Sequence, residues 1–261
     1  MDIHAVDDRG REHDTGKPPG RIVSLVPSTT ETLFRLGCGG RVVGATRFCV
    51  RPDEVGGLPK VGGTKDPSID RIMALEPDIV IGNVEENCEK AFREMEACGL
   101  RVYAAYPRDV DGALQDLLRM GSVLGRRKEA EVLFERIRKT RSALRKRPFR
   151  YAYLIWRKPW MAAGRAYFIS SMLSEAGGTN IFADSEKAYP EVQVEDLAEA
   201  DFVLLSSEPF PFKERHRQEL VEAADIHPSR ILFVDGELCS WHGARMAEAF
   251  PYLDRFAREL P

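Results

Sequence analysis

One short pattern occurs twice in this sequence, and it constrains the fold more than any other feature. Residues 69–72, IDRI, lead into the apolar segment 78–81, and residues 194–197, VEDL, lead into the apolar segment 202–205. In both copies an acidic residue opens a short helix that runs directly into a buried strand. Because the copies flank a long helical region, they predict two similar lobes, with a cleft between them as the expected ligand site.

Strand-like stretches alternate with helical segments in both halves of the chain. Turn residues such as Pro27, Gly37 and Pro77 separate them, and Ser28, Thr29 or Thr30 is expected to cap the first helix. This alternation predicts parallel sheets covered by helices. The predicted strands are 21–26, 42–45, 78–82, 100–105, 150–156, 202–206 and 231–234. The predicted helices outside the middle region are 31–36, 67–75, 86–99, 168–176, 192–200, 215–224 and 244–260.

The middle of the chain has a different pattern. Leucines recur at helical spacing from Leu114 to Leu124, and a second helix is predicted at 128–146, about 30 Å long at about 1.5 Å per residue. The predicted fold class is therefore α/β: two similar lobes with mostly parallel central sheets, bridged by one long α-helix. The predicted divisions are a loosely ordered segment at 1–20, an N-terminal lobe at 21–110, a helical region at 111–147 and a C-terminal lobe at 148–261.

Composition excludes several classes of protein. No apolar run approaches the roughly 20 residues that span a bilayer, so an integral membrane protein is not expected. The net charge of −3 gives no general attraction to nucleic acid, and the basic residues of the long helix indicate a solvated face. Residues 1–20 lack the apolar core of a signal peptide, which favours a cytoplasmic protein, or a periplasmic or cell-surface one if a signal segment was removed. We expect a monomer.

The cysteines favour the same compartment. Their odd number and the lack of a CxxC spacing are not typical of a disulfide framework or of a structural zinc site. Most are therefore expected to be small buried residues in a reducing environment. The five are Cys38, Cys49, Cys88, Cys98 and Cys239.

Motifs of catalysis and of metal binding are missing from the sequence. It contains no GxSxG, HExxH, P-loop or GxGxxG pattern, and no two histidines have the spacing of metal ligands. We therefore predict no catalytic residue, metal site or required cofactor, and we do not expect an enzyme. An enzyme that uses Glu86, Glu208 or His242 is an alternative, although helix capping and solvation also explain Glu86.

Aromatic and charged residues collect where the predicted strands end. Ligands often bind there in open α/β sheets, and flat apolar faces beside guanidinium groups suit a large planar or anionic ligand. Sealing of the lobe ends against water explains any single aromatic equally well, so the prediction depends on the grouping. The segments are 47–48, 156–160, 189–190, 208–212 and 241–242.

Four motifs resemble those of the helical-backbone metal receptors, the substrate-binding proteins of ABC importers for cobalamin, haem and ferric siderophores. The likeness covers residue 21 to the C-terminus and is nearest to the cobalamin-binding members. It implies two α/β lobes joined by one long helix, with the ligand between the lobes. The motifs are RIVSLVPSTTE at 21–31, VGGTK at 61–65, IMALEPDIVI at 72–81 and GGTNIF at 177–182.

The resemblance also implies roles for individual residues. The family docks onto permease arginines through one acidic residue on each lobe, and Asp70 and Glu195 occupy those places, Asp70 with a shorter reach than Glu. Thr64 and Asn83 stand where the cobalamin binder has aromatics, so the stacking walls differ. The implied ligand-binding residues are Pro27, Ser28, Arg47, Phe48, Thr64, Asn83 and Glu86 in the first lobe and Trp156, Arg157, Trp160, Tyr189, Glu208 and Trp241 in the second.

The sequence therefore favours one function and leaves others open. The favoured function is a binding protein that holds cobalamin or a similar metal chelate and delivers it to an ABC importer. One alternative is a binder of haem or of a ferric siderophore. Another is a cytoplasmic sensor or carrier of a small molecule, which keeps the fold without a transporter partner.

Overall fold

The structure, a computed structural model, describes residues 4–164 and 167–261. The chain forms two compact units, and each is described by itself. Unit 1 contains residues up to Pro107, then Asp111–Ile137 and His242–Arg245. Unit 2 contains Arg108–Val110, Arg138–Trp241 and Met246–Pro261.

Unit 1 is built on a sheet of four parallel strands. Its strands are β1 (His4–Val6), β2 (Glu12–Asp14), β3 (Ile22–Ser24), β4 (Val42–Ala45), β5 (Ile79–Asn83) and β6 (Val102–Ala105). Its helices are α1 (Pro27–Arg35), α2 (Ile69–Met73), α3 (Glu89–Ala97), α4 (Val110–Val123) and the first part of α5 (Arg127–Ser142). The order across the sheet is β4-β3-β5-β6, with all neighbours parallel. The four strands are almost entirely buried, which explains their near-continuous apolar sequences.

The first helix of unit 1 begins earlier than predicted. Pro27 is its first residue, and Val26 is the N-cap without a side-chain cap bond. Proline suits this position because its missing N–H would have no partner within the helix and its φ is already helical. The prediction that Ser28, Thr29 or Thr30 caps this helix is therefore wrong. Ser68 does cap α2, where its Oγ accepts the Arg71 N–H.

The N-terminal segment is also more ordered than predicted. The strands β1 and β2 pair as an antiparallel hairpin, and Asp7 and His13 are buried. The Asp7 carboxylate accepts the Ala104 N–H at 3.0 Å, and the Asp8 carboxylate accepts the Tyr106 N–H at 2.6 Å. These bonds cover the outer edge of β6, a strand that would otherwise expose its backbone.

Burial by itself would raise the pKa of Asp7, but hydrogen bonds to the carboxylate outweigh it and hold that pKa below its ordinary value. The largest of these comes from His13, and backbone N–H groups supply the others. The prediction of a loosely ordered segment at 1–20 is wrong for this hairpin. That prediction took account only of apolar burial, whereas hydrogen bonds to the carboxylates of Asp7 and Asp8 attach the hairpin to β6 and the residue after it.

The middle region contains two helices, as predicted, but the second is shorter. The helix α5 ends at Ser142 rather than Lys146, which makes it about 24 Å long at about 1.5 Å per residue. Residues 143–147 are not helical. The chain passes from unit 1 to unit 2 within α5, between Ile137 and Arg138.

Unit 2 repeats the plan of unit 1 with a larger sheet. Its strands are β7 (Phe149–Trp156), β8 (Met161–Ala162), β9 (Gly178–Asn180), β10 (Phe202–Ser206) and β11 (Ile231–Val234). Its helices are α6 (Phe168–Glu175), α7 (Glu214–Ala224), α8 (Gly236–Ser240) and α9 (Met246–Glu259). The parallel strands lie in the order β9-β7-β10-β11, and β8 pairs antiparallel with the end of β7.

The two units share one strand order. The comparison counts only the four parallel strands of each sheet, in chain order. In each unit the first of these strands is central, the second lies on one side of it, and the third and fourth lie on the other side. The repeated sequence pattern occupies equivalent places, before β5 and before β10. The second copy is a 3-10 helix at Glu195–Glu199 instead of the predicted helix 192–200. The α/β class with parallel sheets is confirmed. No helix among the described residues is long and apolar enough to cross a membrane.

Candidate functional site

The predicted ligand-binding residues of unit 1 follow the carboxyl ends of its strands. Pro27 and Ser28 come after β3, and Asn83 is the last residue of β5. Arg47 and Phe48 come after β4 and are exposed. Carboxyl ends of parallel strands meet at one edge of the sheet, so these segments share that edge.

Three buried polar side chains of unit 1 meet at His242. Its Nε2 atom lies 3.2 Å from Asn83 Nδ2 and 3.4 Å from Ser28 Oγ. The other end of the Asn83 amide is fixed, since Oδ1 accepts the N–H of Glu85 at 2.8 Å and of Glu86 at 3.1 Å. The amide N–H of Asn83 therefore points at Nε2, which must be an acceptor without a proton. This arrangement makes His242 a neutral imidazole with its proton on Nδ1.

The surroundings of His242 keep the ring neutral. Burial lowers its pKa from 6.5 to about 4, and the carboxylate of Asp8 acts in the opposite direction. The side chain belongs to a residue only 8% exposed. At neutral pH His242 is therefore a fixed hydrogen-bonding group, and its Nε2 is already engaged by Asn83.

The turn that carries His242 is attached to α1. Gly243 has φ +77°, and a Cβ at this position would lie 2.4 Å from Thr32 Oγ1. The same hydroxyl accepts the Ala244 N–H at 2.9 Å. The preceding residue of α1 is Glu31, whose buried carboxylate pairs with Arg245 Nε at 2.8 Å. Glycine and threonine together thus hold the 243–245 turn close to α1.

The remaining predicted residues of unit 1 lie in loops near β5. The Thr64 carbonyl accepts Asn87 Nδ2 at 2.8 Å, and Lys65 Nζ donates to the Glu85 carbonyl at 2.6 Å. The loop after β4 and the loop after β5 are therefore joined. Glu86 is half-buried beside Asn83.

In unit 2, the central strand β7 ends in an exposed indole. Residues 151–155 are buried, but Trp156 is 42% exposed. Its ring meets Phe210 edge-to-face, with ring centroids 5.6 Å apart. Phe210 in turn contacts Phe212 at 4.8 Å and His216 at 5.1 Å. Trp156 is thus the outer member of an aromatic cluster at the carboxyl end of the sheet.

The two predicted residues that follow Trp156 are engaged within unit 2. Arg157 Nε donates to Glu219 at 2.9 Å, and the guanidinium lies 4.5 Å from the centroid of the Trp160 ring. Trp160 is half-buried and stacks on Phe212 at 5.9 Å. Trp160 therefore packs against the core, and its role as a ligand contact stays a prediction.

Glu208 is the centre of a second polar group at the same edge. Its Oε1 accepts Trp241 Nε1 at 2.7 Å and Ser240 Oγ at 2.9 Å. Burial raises the pKa of Glu208, against these hydrogen bonds. Nearby, Ser206 Oγ lies 2.9 Å from the buried Tyr153 hydroxyl.

Three predicted residues lie apart from these groups. Tyr189 stacks on Tyr167, with centroids 5.4 Å apart. Asp70 is exposed in the first turn of α2, and Glu195 is exposed in the first turn of the 3-10 helix before β10. The two acidic residues therefore have equivalent places in their units.

Sequence reasoning did not predict the partners within these groups. His242 is predicted only as an alternative catalytic residue and as part of the segment 241–242, and Phe210 only as part of the segment 208–212. A histidine next to a tryptophan in the sequence gives only weak evidence for a buried polar group. His242 contacts Asn83, which lies 159 positions away in the chain, and no periodic pattern in the sequence reveals this contact.

Comparison with protein families gives one match, over most of the chain. The family model described as "Periplasmic binding protein" matches residues 22–206. The match begins at β3 and ends at β10, so it includes the central strands of both units.

Curated relatives are proteins named for vitamin B12 binding. The vitamin B12-binding protein of Vibrio cholerae serotype O1 is 27% identical over 197 residues, which are 73% of this chain and 71% of that protein. The vitamin B12-binding protein of Yersinia pestis is 27% identical over 182 residues, 68% of this chain and 65% of that protein.

Solved structures share the fold over almost the whole chain. The periplasmic vitamin B12 binding protein BtuF of Vibrio cholerae has a TM-score of 0.77 at 22% identity and covers 93% of this chain and 99% of its own. The periplasmic heme-binding protein RhuT from Roseiflexus sp. RS-1 has a TM-score of 0.79 at 23% identity and covers 92% and 98%. At these identities the likeness shows the fold.

Proposed function

We propose, from the premise that this chain belongs to the periplasmic binding protein family, that it binds a corrinoid such as cobalamin or a similar metal chelate. The contacts come from side chains that follow the carboxyl ends of its parallel strands. Membership of this family agrees with the motifs found in the sequence. The family is one of binding proteins, which supports a binding role rather than an enzymatic one.

The observation that carries this proposal is the exposure of Trp156. A tryptophan that is 42% exposed at the end of a buried central strand leaves an aromatic face in water. Stacking on a flat conjugated ring would remove that face from water, and aromatic pairs contribute about 0.5–1.5 kcal/mol beyond burial. Phe210 holds the indole from one edge, so little side-chain freedom is lost on binding.

Charge at the strand ends favours a corrinoid over haem. Haem is a dicarboxylate, whereas the rim of a corrinoid carries mainly carboxamides. Arg157 is paired with Glu219, and Arg47 lies 3.4 Å from Asp66. Each predicted binding arginine thus already has an acidic neighbour, which leaves little surplus positive charge for two carboxylates.

The other polar groups suit amide partners. Glu86 and Glu208 add carboxylates to the predicted set, and amide N–H groups donate well to carboxylates. The same carboxylates would repel an anionic ligand in a partly desolvated site. The expected order of affinity is therefore corrinoid first and haem second.

The test is a titration of the purified protein with cyanocobalamin and, separately, with haemin. We expect cobalamin to quench tryptophan fluorescence saturably and to raise the melting temperature. Haemin should bind at least tenfold more weakly, or not at all. Tighter binding of haemin would assign the protein to haem, and no response to either compound would refute the ligand class.

Delivery to an ABC importer is the second part of the proposal. Asp70 and Glu195 are exposed at equivalent places of the two units, which supports their use as docking groups. Charge reversal of both residues to Lys should abolish uptake while ligand affinity is unchanged. Reversal of Glu12 and Glu222, which are also exposed, is the matched control. Full uptake by the docking variant would remove this role.

A cytoplasmic carrier is a second candidate, favoured by the thiols. All five cysteines are free, and Cys88 and Cys98 are exposed. Exposed free thiols are typical of a reducing compartment. Fractionation of cells that express the native gene tests this candidate. Recovery with periplasmic or membrane markers supports the importer component, and recovery with cytoplasmic markers supports the carrier.

A further inference from the structure

Residues 138–150, called the basic segment, carry a large part of the positive charge of unit 2. They contain seven of the 38 Lys and Arg residues of the chain and none of its 41 Asp and Glu residues. The rest of the chain therefore has 31 basic and 41 acidic residues, a balance of −10 against an overall charge of −3. The segment leads into the amino end of β7, whereas Trp156, a predicted ligand-binding residue, lies at the carboxyl end of that strand.

Most of the charges in the basic segment face water. Six of the seven side chains belong to exposed residues, and the seventh, Arg141, is half-buried and paired with Glu175. The exposed six are Arg138, Lys139, Arg145, Lys146, Arg147 and Arg150.

Three of these exposed residues, Arg145, Arg147 and Arg150, keep most of their charge despite the groups that they contact. Arg150 lies 3.9 Å from Glu199, with both side chains more than half exposed, and such pairs contribute little. Asp254 accepts the backbone N–H of Arg145 but is itself paired with Arg258 at 2.6 Å. Arg147 donates hydrogen bonds to the carbonyls of Leu260 and Pro261. These hydrogen bonds do not neutralise the positive charge of its guanidinium.

Helix capping explains only part of the basic segment. Basic residues in the last turn of α5 complement the helix dipole, and this effect falls off within one turn. It covers Lys139 and Arg141, the basic residues of that turn. It does not reach Arg145, Lys146 or Arg150, which follow the helix.

We propose that the basic segment is a docking surface for an anionic phospholipid bilayer. Clusters of Lys and Arg bind such surfaces through charge alone and need no pocket. A single-stranded nucleic acid would be bound with aromatic side chains that stack on bases. Phe149 is the one aromatic residue of the segment, and it is buried. The segment therefore offers no exposed aromatic side chain on which a base could stack. The inference does not depend on the identity of the chelate ligand.

The test is co-sedimentation with vesicles at low ionic strength. One set consists of phosphatidylcholine, and the other of phosphatidylcholine mixed with phosphatidylglycerol. We expect the unmodified protein to bind only the second set and to be released by high salt, because surface charges are screened. The variant Lys139→Glu/Arg145→Glu/Lys146→Glu should bind at least tenfold more weakly.

A matched variant controls for net charge. Lys17→Glu/Lys90→Glu/Lys128→Glu changes the total charge equally at exposed positions elsewhere. It should keep vesicle binding, and both variants should keep the melting temperature and the affinity for cyanocobalamin. Equal losses in both variants would overturn the proposal, as would binding of phosphatidylcholine alone. Binding of single-stranded RNA without binding of anionic vesicles would overturn it in favour of a nucleic acid.

Discussion

The carboxyl edges of the two sheets have the same topology and different chemistry. In unit 1 the edge contains a buried neutral group, His242 with Asn83 and Ser28. In unit 2 it contains an exposed indole, Trp156, and a carboxyl group of raised pKa, Glu208. Both edges follow strands of the same order, so the difference lies in the loops. This comparison teaches that the repeated framework positions a site while the loops determine what it binds.

The comparison predicts opposite responses to pH. The pKa of His242 is lowered in the folded protein, so between about 6.5 and about 4 the unfolded chain takes up a proton that the folded protein refuses. The pKa of Glu208 is raised, so the folded protein retains a proton that the unfolded chain releases above 4.5. His242 thus makes a contribution to stability that is lost as pH falls, and Glu208 makes one that is lost as pH rises.

The largest expected effect is the one at His242. As pH is lowered from 6.5 to 4, the contribution of His242 to the free energy of unfolding should fall by a few kcal/mol at most, which acts to lower the melting temperature. In Asn83→Asp a carboxylate would face Nε2 and favour the charged ring, so this pH dependence should become weaker. His227→Gln, at an exposed histidine, is the control and should keep the original slope. An unchanged slope in Asn83→Asp would contradict the assigned hydrogen bond.

The next effect concerns the turn that carries His242. Gly243→Ala should destabilise the protein by about 1–3 kcal/mol, because the left-handed φ is strained and the new Cβ meets Thr32 Oγ1. Gly10→Ala is a matched control, since Gly10 has φ +76° and nothing within 4 Å of an added Cβ. Thermal unfolding measures both variants. Equal losses would show that Thr32 exerts no steric effect.

The smallest effect is expected at Glu208. Glu208→Gln keeps an oxygen that accepts from Ser240 and Trp241 and removes the charge whose burial is unfavourable. The variant should match the parent protein near pH 4 and exceed its melting temperature at pH 7. Glu222→Gln, at an exposed position of α7, should show no such divergence. A lower melting temperature for Glu208→Gln at pH 7 would show that the carboxylate is stabilising.

Much of the fold could be predicted from the sequence, because the buried strands are continuous apolar stretches. Residues 202–206 and 231–234 form strands with the predicted bounds. The hairpin of β1 and β2 could not be predicted, since hydrogen bonds to Asp7 and Asp8 attach it and apolar periodicity does not reveal them. The strands β8 and β9 were also missed, because neither Met161–Ala162 nor Gly178–Asn180 lies in an apolar run like the one that contains β3.

The candidate site could be predicted only at the level of loops. Five of the seven predicted strands end at the observed residue, and exposed residues such as Trp156 and Phe48 lie at these ends or shortly after them. Sequence did not predict that Arg157 would be paired with Glu219, or that Asn83 would fix the tautomer of His242. Both contacts join residues that are far apart in the chain, and only the fold brings them together.

The most direct test of the central claim is to compare two exposed aromatic residues of unit 2. Trp156 is 42% exposed at the carboxyl end of β7, and Phe233 is 43% exposed on β11. Binding of cyanocobalamin to Trp156→Ala and to Phe233→Ala is measured by calorimetry. The predicted result is an affinity loss of about tenfold or more for Trp156→Ala and no change for Phe233→Ala. Equal affinities of the two variants would contradict a binding role for the exposed indole.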